Sequence, residues 1–188
     1  TGALVVNYIG HGAVDRWTKE PIFSNPDVAS LHNGDRLPVV LAWTCLEGYW
    51  DHARFNSLAE TLLRAPNAGA VSTFSPTGLG VATGHHIMGR GMDEALNETG
   101  TRLGPASMAG KLALFGYASV YYRSLIDTYT VLGDPALRLQ APTGPELTPQ
   151  TRAYLPILGL CYDCGMALDG WQERQSGGRC TRSCRLRG

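Results

Sequence analysis

Ala3-Leu4-Val5-Val6-Asn7-Tyr8-Ile9 runs directly into Gly10-His11-Gly12, and Pro38-Val39-Val40-Leu41-Ala42-Trp43 runs into Thr44-Cys45. Both apolar runs are short, rich in β-branched residues and almost unbroken, the pattern of strands covered on both faces. Between them Asn25-Pro26-Asp27 is a helix start, with Asn25 as N-cap and Pro26 at the first helical position, and Asn33-Gly34 is the matching stop. The unit is therefore predicted to be β-α-β. Such a crossover returns the second strand parallel to the first, so both C-terminal ends lie at one edge of the sheet, where open α/β sheets gather their ligands. His11 and Cys45, 34 positions apart in the chain, are expected as neighbours there.

These residue types make a recognisable pair. A free thiol, with a pKa of about 8.5, is only slightly ionised at neutral pH. A neighbouring imidazolium favours the thiolate, and the same ring can later protonate a departing amine. Glycines on either side of His11 let the backbone turn tightly beside a substrate, and an amide N–H of that turn can face a developing oxyanion.

The remainder reads as one α/β domain. Ser57-Leu58-Ala59-Glu60 is a capping box opening a helix to about Arg64, and Asn67-Ala68-Gly69 is its stop. A third strand is predicted over Ala70-Val71-Ser72-Thr73-Phe74, followed by a loop, Ser75-Pro76-Thr77-Gly78-Leu79-Gly80. Thr83 through Glu98 reads as a helix interrupted by Gly84, Gly89 and Gly91. A longer helix is predicted from about Pro105 to Arg123, with Met108, Leu112, Phe115 and Tyr122 as its core stripe. Val131 to Leu139 reads as a turn leading into a last strand.

Composition narrows the function. With 188 residues, 44% of them apolar, the chain can bury a sizeable core in one domain. Sixteen basic and sixteen acidic residues balance, so nothing points to nucleic acid or an anionic membrane as partner. No apolar run approaches the ~20 residues of a membrane span. No signal peptide is visible. No glycine-rich loop carries the lysine of a nucleotide-binding P-loop.

Taken in order, Asn7-Tyr8-Ile9-Gly10-His11-Gly12, Trp17, Asp27-Val28-Ala29-Ser30-Leu31-His32-Asn33, Cys45 and Gly48-Tyr49-Trp50-Asp51 resemble the catalytic domain of gingipain-type cysteine peptidases. This is peptidase family C25, related in fold to caspases. Ser57-Leu58-Ala59-Glu60, Gly69-Ala70-Val71 and Val131-Leu132-Gly133-Asp134-Pro135 extend the resemblance, which covers roughly residues 3 to 139.

The resemblance implies a caspase-like, mostly parallel sheet flanked by helices. It implies His11 as general acid/base, Cys45 as nucleophile and the Gly12 amide as oxyanion donor, acting on protein or peptide substrates. Glu47, Ser75 and Leu79 are the candidate residues of the substrate pocket. Domains of this type have strands and helices before the histidine strand, so the N-terminal part of the domain is expected to be missing from this chain. The loop from Ser75 to Gly80 lacks the aromatic found near this place in arginine-specific members, so basic specificity is not implied. No cofactor is required. A structural calcium ion is allowed by the resemblance, with Asp15, Glu47 and Asp51 in the two loops, although solvated carboxylates are the simpler reading of all three. An extracellular or cell-surface location is implied in the same way.

The domain is expected to span 1–140, with 141–188 a separate linker and tail. Ala141 to Pro149 is too rich in proline for a core element. Beyond it Cys161, Cys164, Cys180 and Cys184 stand at a spacing that leaves structural zinc, disulfides and an unstructured tail all open. His85-His86 reads as a solvated or packed pair, and His32 and His52 have no partner at ligand spacing. Two other readings of the chain are a catalytically inactive binding or scaffold domain that keeps the fold, and a zinc-binding module centred on the tail cysteines.

Overall fold

A computed structural model describes residues 2–98, 101–117 and 119–139. The expectations for the tail, including its four cysteines, lie outside the described residues. Strands β1 (Val5–Ile9) and β5 (Val39–Trp43) pair in parallel, Val5 opposite Val39 and Ile9 opposite Trp43, as the β-α-β reading requires. Three two-residue strands lie between them in the chain: β2 (Gly12–Ala13), β3 (Arg16–Trp17) and β4 (Phe23–Ser24) form a small antiparallel sheet of their own. Segments this short have no hydrophobic period to read, and none of the three is expected from the sequence.

The crossover helix α1 is a single turn, Asn25–Val28. Ser24 is its N-cap rather than Asn25, and its Oγ donates to Asp27 Oδ2 at 2.6 Å. The helix ends at Ala29, well before the predicted stop. Asn33 instead ties the connection to the chain after α2 (Leu58–Arg64), donating to the Gly69 carbonyl and accepting from the Gly69 amide, both at 2.9 Å. The capping box of α2 is present as predicted: Ser57 Oγ accepts from the Glu60 amide, and Glu60 Oε2 accepts from the Ser57 amide.

β6 (Ser72–Pro76) lies two residues later than predicted, so Ser75 belongs to a strand and not to the following loop. It pairs in parallel with β5. β7 (Tyr129–Leu132) completes the order β1-β5-β6-β7 by pairing antiparallel with β6. The last strand thus precedes the Gly133-Asp134-Pro135 turn instead of following it. Residues alternate across the central strand β5. Val39, Leu41 and Trp43 enter a core with Phe74, Tyr129, Met88, Met92, Leu103 and Leu114. Val40 faces the other way, onto Val28, Leu58 and Leu62. Helices therefore cover both faces of the sheet, which explains the unbroken apolar run of the strand.

α3 (Ala82–Leu96) matches its prediction to within two residues. The long helix predicted after it is two, α4 (Leu103–Phe115) and α5 (Val120–Thr128), separated at Gly116-Tyr117. Three of the four residues of its predicted core stripe are also on the wrong face: Met108, Leu112 and Phe115 are 54%, 61% and 64% exposed, whereas Tyr122 packs against the core as predicted. The buried face carries Leu103, Ala106, Ser107, Gly110 and Leu114. Small residues face inward because α3 and α4 approach very closely. A Cβ on Gly110 would stand 2.6 Å from the Met88 carbonyl oxygen and 3.2 Å from Met92 Cβ. Gly110→Val is accordingly expected to force the helices apart and destabilise the fold by about 1–3 kcal/mol. Leu112→Glu, on the exposed face, should stay within about 0.5 kcal/mol of wild type. Urea unfolding of the two variants checks this, and equal losses would mean that the packed face is misassigned.

Candidate active site

The parallel pairing of β1 with β5 brings the residues that follow each strand together. The Gly10 amide donates to the Trp43 carbonyl at 3.2 Å, continuing the ladder one step past the strands. Two residues on, the histidine loop rests on the cysteine loop. A Cβ added to Gly12 would collide with Thr44 Oγ1 and lie 3.0 Å from the Cys45 carbonyl oxygen. Gly12 is thus required by close approach, and any larger residue would push the His11 loop off the Cys45 loop.

His11 is exposed. Its carbonyl is held by the Tyr8 hydroxyl at 2.6 Å and by the Thr18 amide at 2.8 Å, so the backbone on which the ring is mounted is fastened from both sides. Beside it an open depression of about 500 Å³ is lined by His11, Gly12, Ala13, Arg16, Thr18 and Lys19. Cys45 does not line it. The Cys45 thiol is half-buried and free, and it accepts from the Gly80 amide at 3.4 Å. The residue after it, Leu46, has φ +62°, a left-handed conformation that a branched side chain adopts only under constraint. That constraint is visible: the Leu46 amide donates to the Gly78 carbonyl at 3.0 Å and the Gly48 amide to the Pro76 carbonyl at 2.9 Å. Thr44, just before the nucleophile candidate, donates its amide to the buried Tyr129 hydroxyl at 3.2 Å, and that hydroxyl donates to the Ala42 carbonyl at 3.0 Å. Both flanks of Cys45 are therefore fixed to β6, β7 and the loop after β6.

The three pocket candidates fall in different places. Leu79 is 70% exposed, one residue from the amide that touches the thiol. Ser75 is fully buried in β6, where its Cβ lies 2.9 Å from the position of a Cβ on Gly48. Glu47 is also fully buried, which overturns its reading as a solvated loop carboxylate. Its Oε2 accepts from the Trp17 indole N–H at 2.9 Å, and Oε1 has no partner. Burial pushes its carboxyl up to about 7, against the opposing effect of the Trp17 bond. A charged residue in a loop, two places after Cys45 and next to Gly48, carries no local signal of burial, so this is not legible in the sequence.

Asp15, Glu47 and Asp51 do not come together as one ligand set. Asp15 pairs with Arg16 at 3.0 Å, Asp51 is exposed and Glu47 is committed to Trp17. Among the described residues no group of three or more His, Cys, Asp or Glu side chains converges. Of the histidine pair, His86 is exposed and His85 is packed edge-on against Tyr129, its rings' centroids 5.7 Å apart, with burial lowering its pKa. A Cβ added to Gly80, whose amide holds the thiol, would collide with His85 Nε2. No helix among the described residues is long and apolar enough to cross a membrane.

A mostly parallel sheet covered by helices on both faces, with histidine and cysteine loops meeting at adjoining strand ends, is an α/β architecture of the caspase-like kind. The sequence profile of peptidase family C25 matches residues 1–140, and the chain belongs to that family. It is 27% identical to gingipain R1 of Porphyromonas gingivalis over 87% of this chain and 17% of that protein. Gingipain R2 of the same organism is 29% identical over 78% of this chain and 21% of its own length. The chain therefore spans about a fifth of these relatives. The crystal structure of the Arg-specific cysteine proteinase gingipain R superposes with a TM-score of 0.68 at 27% identity, covering 74% of this chain and 34% of that one. A further protease structure gives the same TM-score at 16% identity, a likeness of fold alone.

Proposed function

We propose that the protein is a cysteine endopeptidase in which Cys45 is the nucleophile and His11 the general acid/base. The observation that carries this reading is the contact of the two loops at Gly12, which sets the histidine loop beside the Cys45 backbone in a chain of family C25. The thiolate attacks the carbonyl carbon of a peptide bond and the carbonyl π electrons move to oxygen, giving a tetrahedral oxyanion beside the Gly12 amide. Collapse expels the amine, which takes a proton from the His11 imidazolium. Water, deprotonated by the neutral ring, then attacks the thioester and releases the acid and the thiolate. Substrates are proteins or peptides, the peptidase domain ends near residue 140, and the location is extracellular or at the cell surface.

A set of peptidyl chloromethyl ketones with different terminal side chains tests the assignment whatever the residue preference at the cleaved bond. One of them is expected to alkylate Cys45 stoichiometrically and ahead of Cys161, Cys164, Cys180 and Cys184, and His11→Ala should abolish that advantage. Labelling of Cys45 no faster than the other cysteines by every member of the set would favour an inactive scaffold instead.

A further inference from the structure

Glu47 is the one buried carboxylate of the cysteine loop, and its bonds reach separate elements of the fold. Its Oε2 receives the indole N–H of Trp17, on β3 of the histidine hairpin. Its carbonyl receives the Ala59 amide, in the first turn of α2, at 3.2 Å. The adjacent Leu58 amide donates back to the hairpin at the Val14 carbonyl, 2.7 Å away. Trp17 in turn stacks on Tyr8 of β1, ring centroids 4.3 Å apart and planes within 5° of parallel. Tyr8 holds the His11 carbonyl. A continuous set of contacts thus runs from the residue two places after Cys45 through Trp17 and Tyr8 to the backbone of His11.

We infer that Glu47 is a positioning residue, whose buried carboxyl grips the Trp17 indole and so sets the approach of the His11 ring to the Cys45 thiol. This rests on the reading of His11 and Cys45 as the reacting pair. A buried side chain with one oxygen unpartnered is costly to keep, and a purely structural link between the loops would be made more stably by an apolar residue. The acceptor is what an apolar residue lacks: it fixes the indole by direction as well as by contact. The titratable groups that face Glu47 are the Tyr8 phenol from β1 and the Tyr129 phenol from β7, each raised in pKa by burial first and by the Glu47 charge in addition. Among the described residues no basic side chain forms an ion pair with it.

The test uses the 188-residue chain and reads the rate at which iodoacetamide alkylates Cys45 at about pH 6.5, followed on the Cys45 peptide by mass spectrometry. His11→Ala is expected to slow this reaction about tenfold, because the group proposed to take the thiol proton is gone. Trp17→Phe keeps the ring stack but removes the donor, and is expected to lose most of the same enhancement, as is Glu47→Ala. Neither should slow the reaction further in a His11→Ala background. Glu47→Gln keeps the acceptor and should keep the rate. The Trp17 indole N–H resonance should also shift with a midpoint at about pH 7 in wild type and stay fixed over that range in Glu47→Gln. Wild-type alkylation rates in folded Trp17→Phe and Glu47→Ala, with His11→Ala slow, would overturn the positioning role and leave the reacting pair standing. A His11→Ala rate equal to wild type would overturn both.

Discussion

Cys45→Ala and His11→Ala are each expected to lower kcat/KM for peptide hydrolysis by about a thousandfold or more, and the double variant by scarcely more than either. As the proposed nucleophile, the Cys45 thiolate would supply the bond that splits a slow amide hydrolysis into two steps, and alanine offers no nucleophile in its place. In the proposed mechanism the imidazole acts only on what the thiolate has begun, by protonating the departing amine and deprotonating the water, so its removal should be felt through the same unit. Two groups that work as one unit give losses that do not add. Cys45 is also the only cysteine of the chain before residue 161, so Cys161→Ala serves as the control and should leave turnover unchanged. Determination of kcat/KM for the four variants on one peptide decides the matter. Retained turnover in Cys45→Ala would remove the nucleophile assignment, and losses that multiply in the double variant would mean that the two residues act in separate steps.

Glu47 is expected to make the fold less stable as the pH rises, opposite to the behaviour of a salt-bridged carboxylate. Its folded-state pKa of about 7 lies above the ordinary 4.5 that it regains on unfolding. Below pH 4.5 both states hold the proton and the group contributes no pH dependence. Between 4.5 and 7 the folded state binds more protons than the unfolded one, so stability falls with rising pH through that window and levels off above it. At about 1.4 kcal/mol per unit the loss is on the order of 3 kcal/mol, a large part of the stability of a domain this size. Glu47→Gln has no proton to lose and keeps the Trp17 acceptor. Its stability relative to wild type should therefore rise by about 3 kcal/mol between about pH 4.5 and pH 8, measured by urea unfolding at both ends. A difference that does not change with pH would show that the carboxyl is not held in its buried setting.

What can be read along the chain and what needs the folded molecule divide by the range of the forces involved. The parallel pairing of β1 with β5 is legible in two apolar runs joined by a helical crossover, but of the two only β5 is buried on both faces. β1 lies at the end of the strand order with Asn7 and Ile9 exposed, so its predicted burial on both faces is not met. The meeting of the His11 and Cys45 loops follows from the pairing, since a crossover leaves both strand ends on one edge. The capping box at Ser57 and Glu60 is legible because its bonds are local. The face that α4 buries is not: the helix is apolar nearly all round, and only the closeness of α3 at Gly110 and Met88 selects small residues for the interior and leaves Leu112 and Phe115 outside. Nor is the burial of Glu47, which depends on Trp17, 30 positions away, arriving on a hairpin whose two-residue strands carry no pattern of their own. Nearest-neighbour chemistry and strand periodicity act within a few residues and can be read in order. Helix separation, and the desolvation that moves the Glu47 carboxyl up to about 7, arise only when distant segments exclude water together.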